Sequence, residues 1–177
     1  MNIGQKIPQI SLPAVNGSQF DTTSLLGKKY LLTFFRFATC PFCNMRMAEL
    51  VQLKKELGDN FEIVAIFQSE MEHLKKHSNK HFANFPILAD PKKQYYEMFD
   101  VNNSLSGMFK GMIMRMPTVI KGMSRGYIPL EISKRLLIMP LSLLVDEQGI
   151  IQSVYQGKDE GDHLPLDRVI TFSAQLA

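Results

Sequence analysis

The sequence predicts an α/β fold, with a central mixed β-sheet flanked by helices and a helical insertion ahead of a C-terminal β-hairpin. Three observations predict it. Two apolar stretches, Tyr30 to Phe37 and Phe61 to Phe67, read as buried strands on either side of a segment with helix spacing. Strand, helix and strand in succession build a right-handed parallel unit. Further on, Leu141 to Val145 and Ile150 to Tyr155 flank Asp146-Glu147-Gln148-Gly149, which reads as a hairpin and adds an antiparallel pair.

The elements follow in order. With 45% hydrophobic and 21% charged residues, the 177-residue chain can fill one domain, 1–177, with its own core. Ile7 to Leu12 is a short apolar piece, and Asn16-Gly17 favours a hairpin. Leu25-Leu26-Gly27-Lys28-Lys29 leads into the first central strand. From Asn44 to Leu57, Met47, Leu50 and Val51 share a helix face that Arg46, Glu49 and Glu56 can avoid. Pro41 suits the first turn of that helix, where its missing N–H is not needed, and Gly58 closes it. Ser69-Glu70-Met71-Glu72 has the form of a capping box for a helix to about Lys80. Phe85 to Leu88 reads as a short strand, and Asp90-Pro91 opens a short helix through Met98. Asp162 to Leu176 reads as the last helix, with Pro165 in its first turns.

Composition excludes several classes. Two cysteines make no disulfide scaffold. Met1 to Lys6 has no apolar region behind it to act as a signal peptide, and no apolar run approaches the length of a membrane span. A cytoplasmic location is the expectation, and there a cysteine pair is more often catalytic than structural. His73, His77 and His81 recur every four residues, a spacing able to hold a metal. Yet Lys75, Lys76 and Lys80 surround them, which favours a solvated helix face. Two cysteines cannot complete a zinc or iron–sulfur site alone, so no metal and no bound cofactor are expected.

Cys40-Pro41-Phe42-Cys43 carries the chemistry. It falls where the first central strand ends and a helix begins. The unpaired N–H groups of a helix N-terminus lower a cysteine pKa of about 8.5 to roughly 3.5–7.5. Residues three apart share a helical turn, within bridging distance. Cys40 at the cap would attack and Cys43 would resolve. Two buried structural cysteines, or half of a metal site, are the plainer readings. Arg36, four residues before Cys40, either faces the thiol and lowers its pKa or caps the strand end at the surface.

The cysteine pair after the first central strand, the βαβ unit, the hairpin and the last helix together resemble the thioredoxin fold. Gly27-Lys28, Cys40-Pro41-Phe42-Cys43, and Met139-Pro140 before a strand ending in Val145-Asp146-Glu147-Gln148-Gly149 narrow this. They resemble the peroxiredoxin-like branch of the alkyl hydroperoxide reductase/thiol-specific antioxidant family, as do Phe35-Arg36, Tyr155-x-Gly157-Lys158 and Asp162-His163. The resemblance implies a thioredoxin-like fold and an antioxidant oxidoreductase. It also implies a cis Pro140, with Met139 offering its backbone to an extended substrate beside Pro41 and Phe42. A trans proline opening the strand is the alternative. It further places Lys158 and His163 near Cys40. There they would tune the thiolate or move a proton, or else belong to a polar loop and helix cap. Peroxide-reducing members carry Pro-x-x-x-Thr-x-x-Cys. Here Thr33 and Phe37 occupy those two positions and neither matches, which favours thiol–disulfide exchange over peroxide reduction.

Residues 102–139 form the insertion. Between 105 and 139, six bases face one acid, a net +5 in a chain of net +3, and six of the eleven methionines fall there. Three readings stand: helices covering a sheet edge, an adaptable lid or docking surface near Pro140, or contact with an anionic membrane surface. Without interleaved aromatics, the bases do not suggest nucleic acid. The expected partners are a disulfide-containing protein, a small thiol or a peroxide, and a reductase system that returns electrons; the peroxiredoxin resemblance adds a homodimer, for which the sequence shows no interface.

Overall fold

Two short strands, β1 (Ser11–Pro13) and β2 (Gln19–Asp21), form the hairpin that Asn16-Gly17 predicts, and Gly17 takes the positive φ of 90° that such a turn requires. The computed structural model describes residues 1–78, 83–127 and 137–175. After the hairpin come β3 (Lys29–Phe35), α1 (Pro41–Lys54), β4 (Phe61–Phe67), α2 (Met71–Ser78), β5 (Ile87–Ala89) and α3 (Gln94–Met98). The insertion contributes α4 (Leu105–Met114) and α5 (Met116–Ser124), and the chain finishes with β6 (Leu141–Val145), β7 (Ile151–Gln156) and α6 (Leu166–Ala174).

The sheet runs β5-β4-β3-β6-β7, with β3 at its centre. β3 pairs in parallel with β4, from Lys29↔Phe61 to Phe35↔Phe67, and antiparallel with β6, from Tyr30↔Val145 to Phe34↔Leu141. The mixed sheet follows from α1 crossing over on one side and the hairpin returning on the other. Side chains of β3 alternate between two apolar layers. Leu31 and Phe35 join Leu50 of α1, Leu74 of α2 and Phe172 of α6. Leu32 and Phe34 join Leu12 and Phe20 of the first hairpin and Tyr96 of α3. Covered on both faces, the strand is buried throughout, which is why it reads as a continuous apolar run.

Several boundaries differ from expectation. α1 stops at Lys54, and Gly58 turns the chain with φ 68°. Ser69 does not sit at the helix cap, because α2 begins at Met71; its hydroxyl instead accepts the Ala38 N–H at 3.0 Å. α3 begins at Gln94 because the Asp90 carboxylate accepts the N–H groups of Gln94 and Tyr95 at 3.1 and 2.8 Å. α6 begins at Leu166, directly after Pro165, whose fixed φ suits the helix entrance. The expected end of α2 near Lys80, His81, and the bases Lys134 and Arg135 lie outside the described residues; the rings of His73 and His77 lie 4.6 Å apart.

Tyr96 ties the two parallel strands together at the end where the thiols lie. Its buried hydroxyl faces the carbonyl oxygens of Phe35 and Ile66, the latter at 2.9 Å. Tyr96→Phe removes that donor without creating a cavity. The expected loss is about 1–3 kcal/mol in urea unfolding, and an unchanged midpoint would show that the hydroxyl holds neither strand.

Candidate active site

The end of β3 passes into a turn that is fastened from several sides. Gln68 N–H donates to the Arg36 carbonyl at 2.9 Å and Cys40 N–H to the Phe37 carbonyl at 3.1 Å. The Asn44 amide donates to the carbonyls of Ala38 and Cys40, each at 2.8 Å. Cys40 is the N-cap of α1 with extended φ and ψ of −63° and 121°, and Pro41 occupies the first turn. Cys43 lies one turn inside. Both thiols are free and both are 0% exposed.

Burial alone raises the pKa of a thiol, since a thiolate loses its water. At Cys40 this is outweighed by the Cys43 thiol donating to its sulfur, by the Arg36 guanidinium, and by the N–H groups of Cys43 and Phe42; together they hold it down at about 6. Cys43 is pushed well up, by burial first and then by its bond to Cys40 and the charge there. Arg36 resolves the alternative left by the sequence. It is buried, donates from Nη1 to Cys40 Sγ at 3.6 Å and stacks over the Phe37 ring at 5.4 Å, so it faces the thiol and does not cap a surface strand end.

The returning strand β7 brings the segment 157–163 to the same end of the sheet. Gly157 N–H donates to the Pro140 carbonyl at 2.8 Å, and a Cβ at Gly157 would meet the Asp162 carbonyl at 2.4 Å, so only glycine fits. The Asp162 carboxylate accepts Tyr155 OH at 2.6 Å and Lys158 N–H at 2.8 Å. The Lys158 side chain is exposed, and its backbone organises the loop. His163 packs on Phe35 at 5.6 Å between ring centroids. Burial, then Arg46, Arg115 and Arg36, push its pKa well below the usual value, so it is neutral and supplies no charge to a thiolate.

Pro140 corrects an expectation. The Met139–Pro140 peptide bond is trans. Its surroundings use the groups that a substrate would need. Met139 N–H donates to the Asn102 carbonyl at 2.9 Å, and Gln156 Nε2 adds a second donor, at 3.0 Å, to the Pro140 carbonyl. Met139 is buried under α4, where a Cβ on Gly107 would lie 3.0 Å from its sulfur. The Met139 N–H and the Pro140 carbonyl are therefore already engaged in this arrangement.

The described part of the insertion lies over the cysteine turn. A Cβ on Gly122 of α5 would lie 2.9 Å from Pro41 Cβ, and one on Gly161 would lie 2.9 Å from the Phe42 ring. Arg115, between α4 and α5, pairs with Asp159 at 2.7 Å. Glu160 is buried against Gly111, with Oε2 lacking a hydrogen-bond partner; burial raises its pKa, and the Cys40 charge adds to that. Asn44, Glu160 and the Arg115–Asp159 pair are absent from the sequence reading. Asn44 had a signal, a polar residue on the buried side of the first turn, four positions after Cys40. Asp159-Glu160-Gly161-Asp162 looks like an ordinary solvated acidic loop. Thr33 and Phe37 take no part in the site surface. Thr33 lies within β3 with its hydroxyl 3.1 Å from Ser142, and Phe37 is a core ring.

The chain is similar in sequence and fold to known redox proteins. The model of the AhpC/TSA family matches residues 3–154. The chain is 29% identical over 111 residues to peroxiredoxin Bcp of Escherichia coli (strain K12), covering 62% of this chain and 71% of the relative. The crystal structure of peroxidoxin BcpB from Mycobacterium tuberculosis is similar with a TM-score of 0.69 and 16% identity, over 98% of this chain and 96% of that one. A thiol:disulfide interchange protein of the thioredoxin family from Chlorobium tepidum TLS is similar with a TM-score of 0.58 and 22% identity, over 98% of each chain. With Cys40 at the strand–helix junction of a thioredoxin-like sheet, and the family match spanning most of the sequence, the chain belongs to the AhpC/TSA family and is a peroxiredoxin-like thiol oxidoreductase.

Proposed function

We propose that the protein carries out thiol–disulfide exchange, with Cys40 as the nucleophile and Cys43 as the resolving thiol. One observation carries this reading: two thiols on one helical turn, with Cys43 donating to Cys40 and their pKa values driven apart. The Cys40 thiolate attacks one sulfur of a substrate disulfide, forming a mixed disulfide and releasing the other sulfur as a thiolate that takes up a proton. Cys43 then gives up its proton and attacks Cys40 Sγ. The second substrate thiol leaves, and a Cys40–Cys43 disulfide remains. The substrate gains two electrons and the protein loses two, which an external dithiol reductase system restores. A reducing compartment, as in the cytoplasm, suits this cycle. Pro41 and Phe42 would form the substrate floor, and Met139 and Pro140 its flank, once α4 and α5 move aside.

A second reading is thiol peroxidase. The Thr39 hydroxyl favours it, being buried beside Cys40 without a hydrogen-bond partner. The Cys40 thiolate would attack a peroxide oxygen and become a sulfenic acid as water or alcohol leaves. Cys43 would then condense with it, releasing water.

Mass spectrometry during turnover tests the roles. Cys40→Ser should abolish exchange, and Cys43→Ser should accumulate the mixed disulfide at Cys40; full activity of Cys40→Ser would overturn the assignment. Thiolate absorbance should rise through a pH of about 6 as the Cys40 proton leaves, reactivity falling below that pH, and Arg36→Gln should move the inflection upward. Thr39→Val should slow the peroxide reaction by about ten-fold, the value of one hydrogen bond to a charged group, and leave disulfide exchange unchanged if the second reading holds. Arg115→Ala should speed alkylation of Cys40 about five-fold by freeing the cover, the worth of a partly exposed ion pair.

A further inference from the structure

The helix pair α4–α5 is built the reverse of a water-facing one. Its small residues face the protein: Gly107 meets Met139 and the Lys158 carbonyl, Gly111 meets Glu160, and Gly122 meets Pro41. Its large apolar residues face outward. Leu105, Phe109 and Ile113 recur at i, i+4 and i+8 on α4, and Met116, Ile120 and Met123 at i, i+4 and i+7 on α5, between 46% and 73% exposed. Among the described residues, seven of the eleven exposed large apolar side chains fall between 105 and 123. Scattered apolar residues are ordinary on a surface, but a cluster on two adjoining helices is not. The same stretch is basic throughout. Residues 105–125 carry Lys110, Arg115, Lys121 and Arg125 and no acid. Arg115 is held by Asp159, while Lys110, Lys121 and Arg125 are exposed.

We infer that the outer face of α4–α5 docks on an anionic lipid bilayer, lying in the plane of the headgroups with its apolar stripes toward the acyl chains. Charge decides among the occupants. A second copy meeting this face through a two-fold axis would set Lys110, Lys121 and Arg125 against their own counterparts, in a contact with no acid from 105 to 125 to offset them. An acidic protein would satisfy the bases but would need relief that fits two rows of long side chains. A bilayer meets both demands, since its headgroups pair with bases and its interior accepts apolar side chains of any shape. Among the described residues no helix is long and apolar enough to cross a membrane, so the contact is one of surface attachment. The docked face is the outer side of the cover whose inner side touches Pro41. Attachment would therefore hold the thiol site about one helix diameter, 10–12 Å, from the lipid.

Flotation of the full chain with vesicles tests this. Binding is expected to phosphatidylcholine vesicles containing phosphatidylglycerol, with much less to phosphatidylcholine alone, and it should weaken as salt is added. Phe109→Ser combined with Ile113→Ser, at two exposed positions, should lower binding by at least about ten-fold while reaction with a small disulfide stays unchanged. Lys110→Glu combined with Lys121→Glu should abolish the preference for the anionic vesicles. Failure to float with either vesicle, or equal binding by the Ser variant, would overturn the inference. So would self-association that the Ser variant abolishes, or capture of acidic proteins without vesicle binding.

Discussion

A thiolate stripped of water must be solvated by the protein, and the site is arranged around that constraint. Cys40 is fully buried, so every group that stabilises its charge has to be set in place beforehand. The strand–helix junction supplies two of them, the N–H groups of Phe42 and Cys43, at no cost in side chains. Arg36 and Cys43 supply the rest. Their geometry depends on the turn between β3 and α1, and that turn depends in turn on Asn44, Ser69 and Gln68. The same burial that threatens the Cys40 charge also pushes the Cys43 thiol well up, and so sets the two thiols apart.

Burial also means that the resting arrangement is closed. α5 rests on Pro41, Gly161 packs beside Phe42, and the Arg115–Asp159 pair ties the insertion to the loop after β7. These contacts are shallow. They rest on close glycine contacts, one ion pair and a few side chains such as Val119, which suits a cover that separates from the body of the fold while the sheet stays intact. A deeply knitted insertion would bury Leu105, Phe109 and Ile120, and these are the side chains left outside.

The sheet was legible in the sequence because its order follows local rules. Continuous apolar runs mark β3 and β4, the Asp146–Gly149 turn marks the second hairpin, and helix spacing marks α1. The cysteine pair was legible for the same reason: its chemistry comes from neighbours within four positions. What escaped was tertiary. Glu160 looks solvated until Gly111 is seen to press on it from α4, and Asn44 looks like one more polar helix residue until the carbonyls of Ala38 and Cys40 are seen above it. Met139-Pro140 directly precedes β6. The Met139 N–H and the Pro140 carbonyl, though, are taken by Asn102, Gln156 and Gly157, from parts of the chain that no local pattern links to them. The neutral state of His163 likewise depends on burial first, and then on three arginines spread from 36 to 115.

The central position of β3 bears on how the protein is made. One neighbour, β4, follows soon after it, but Ser142 of β6, which faces Thr33, lies 109 positions further along. The loop that lies against Phe42 comes later still. On a ribosome the two cysteines emerge well before β6 and β7 and wait for them before their sheet can close. Throughout that interval they are ordinary thiols in water, without the dry surroundings or the cover. The finished site, and the reactivity that goes with it, is acquired only once β6, β7 and the loop after them have been made.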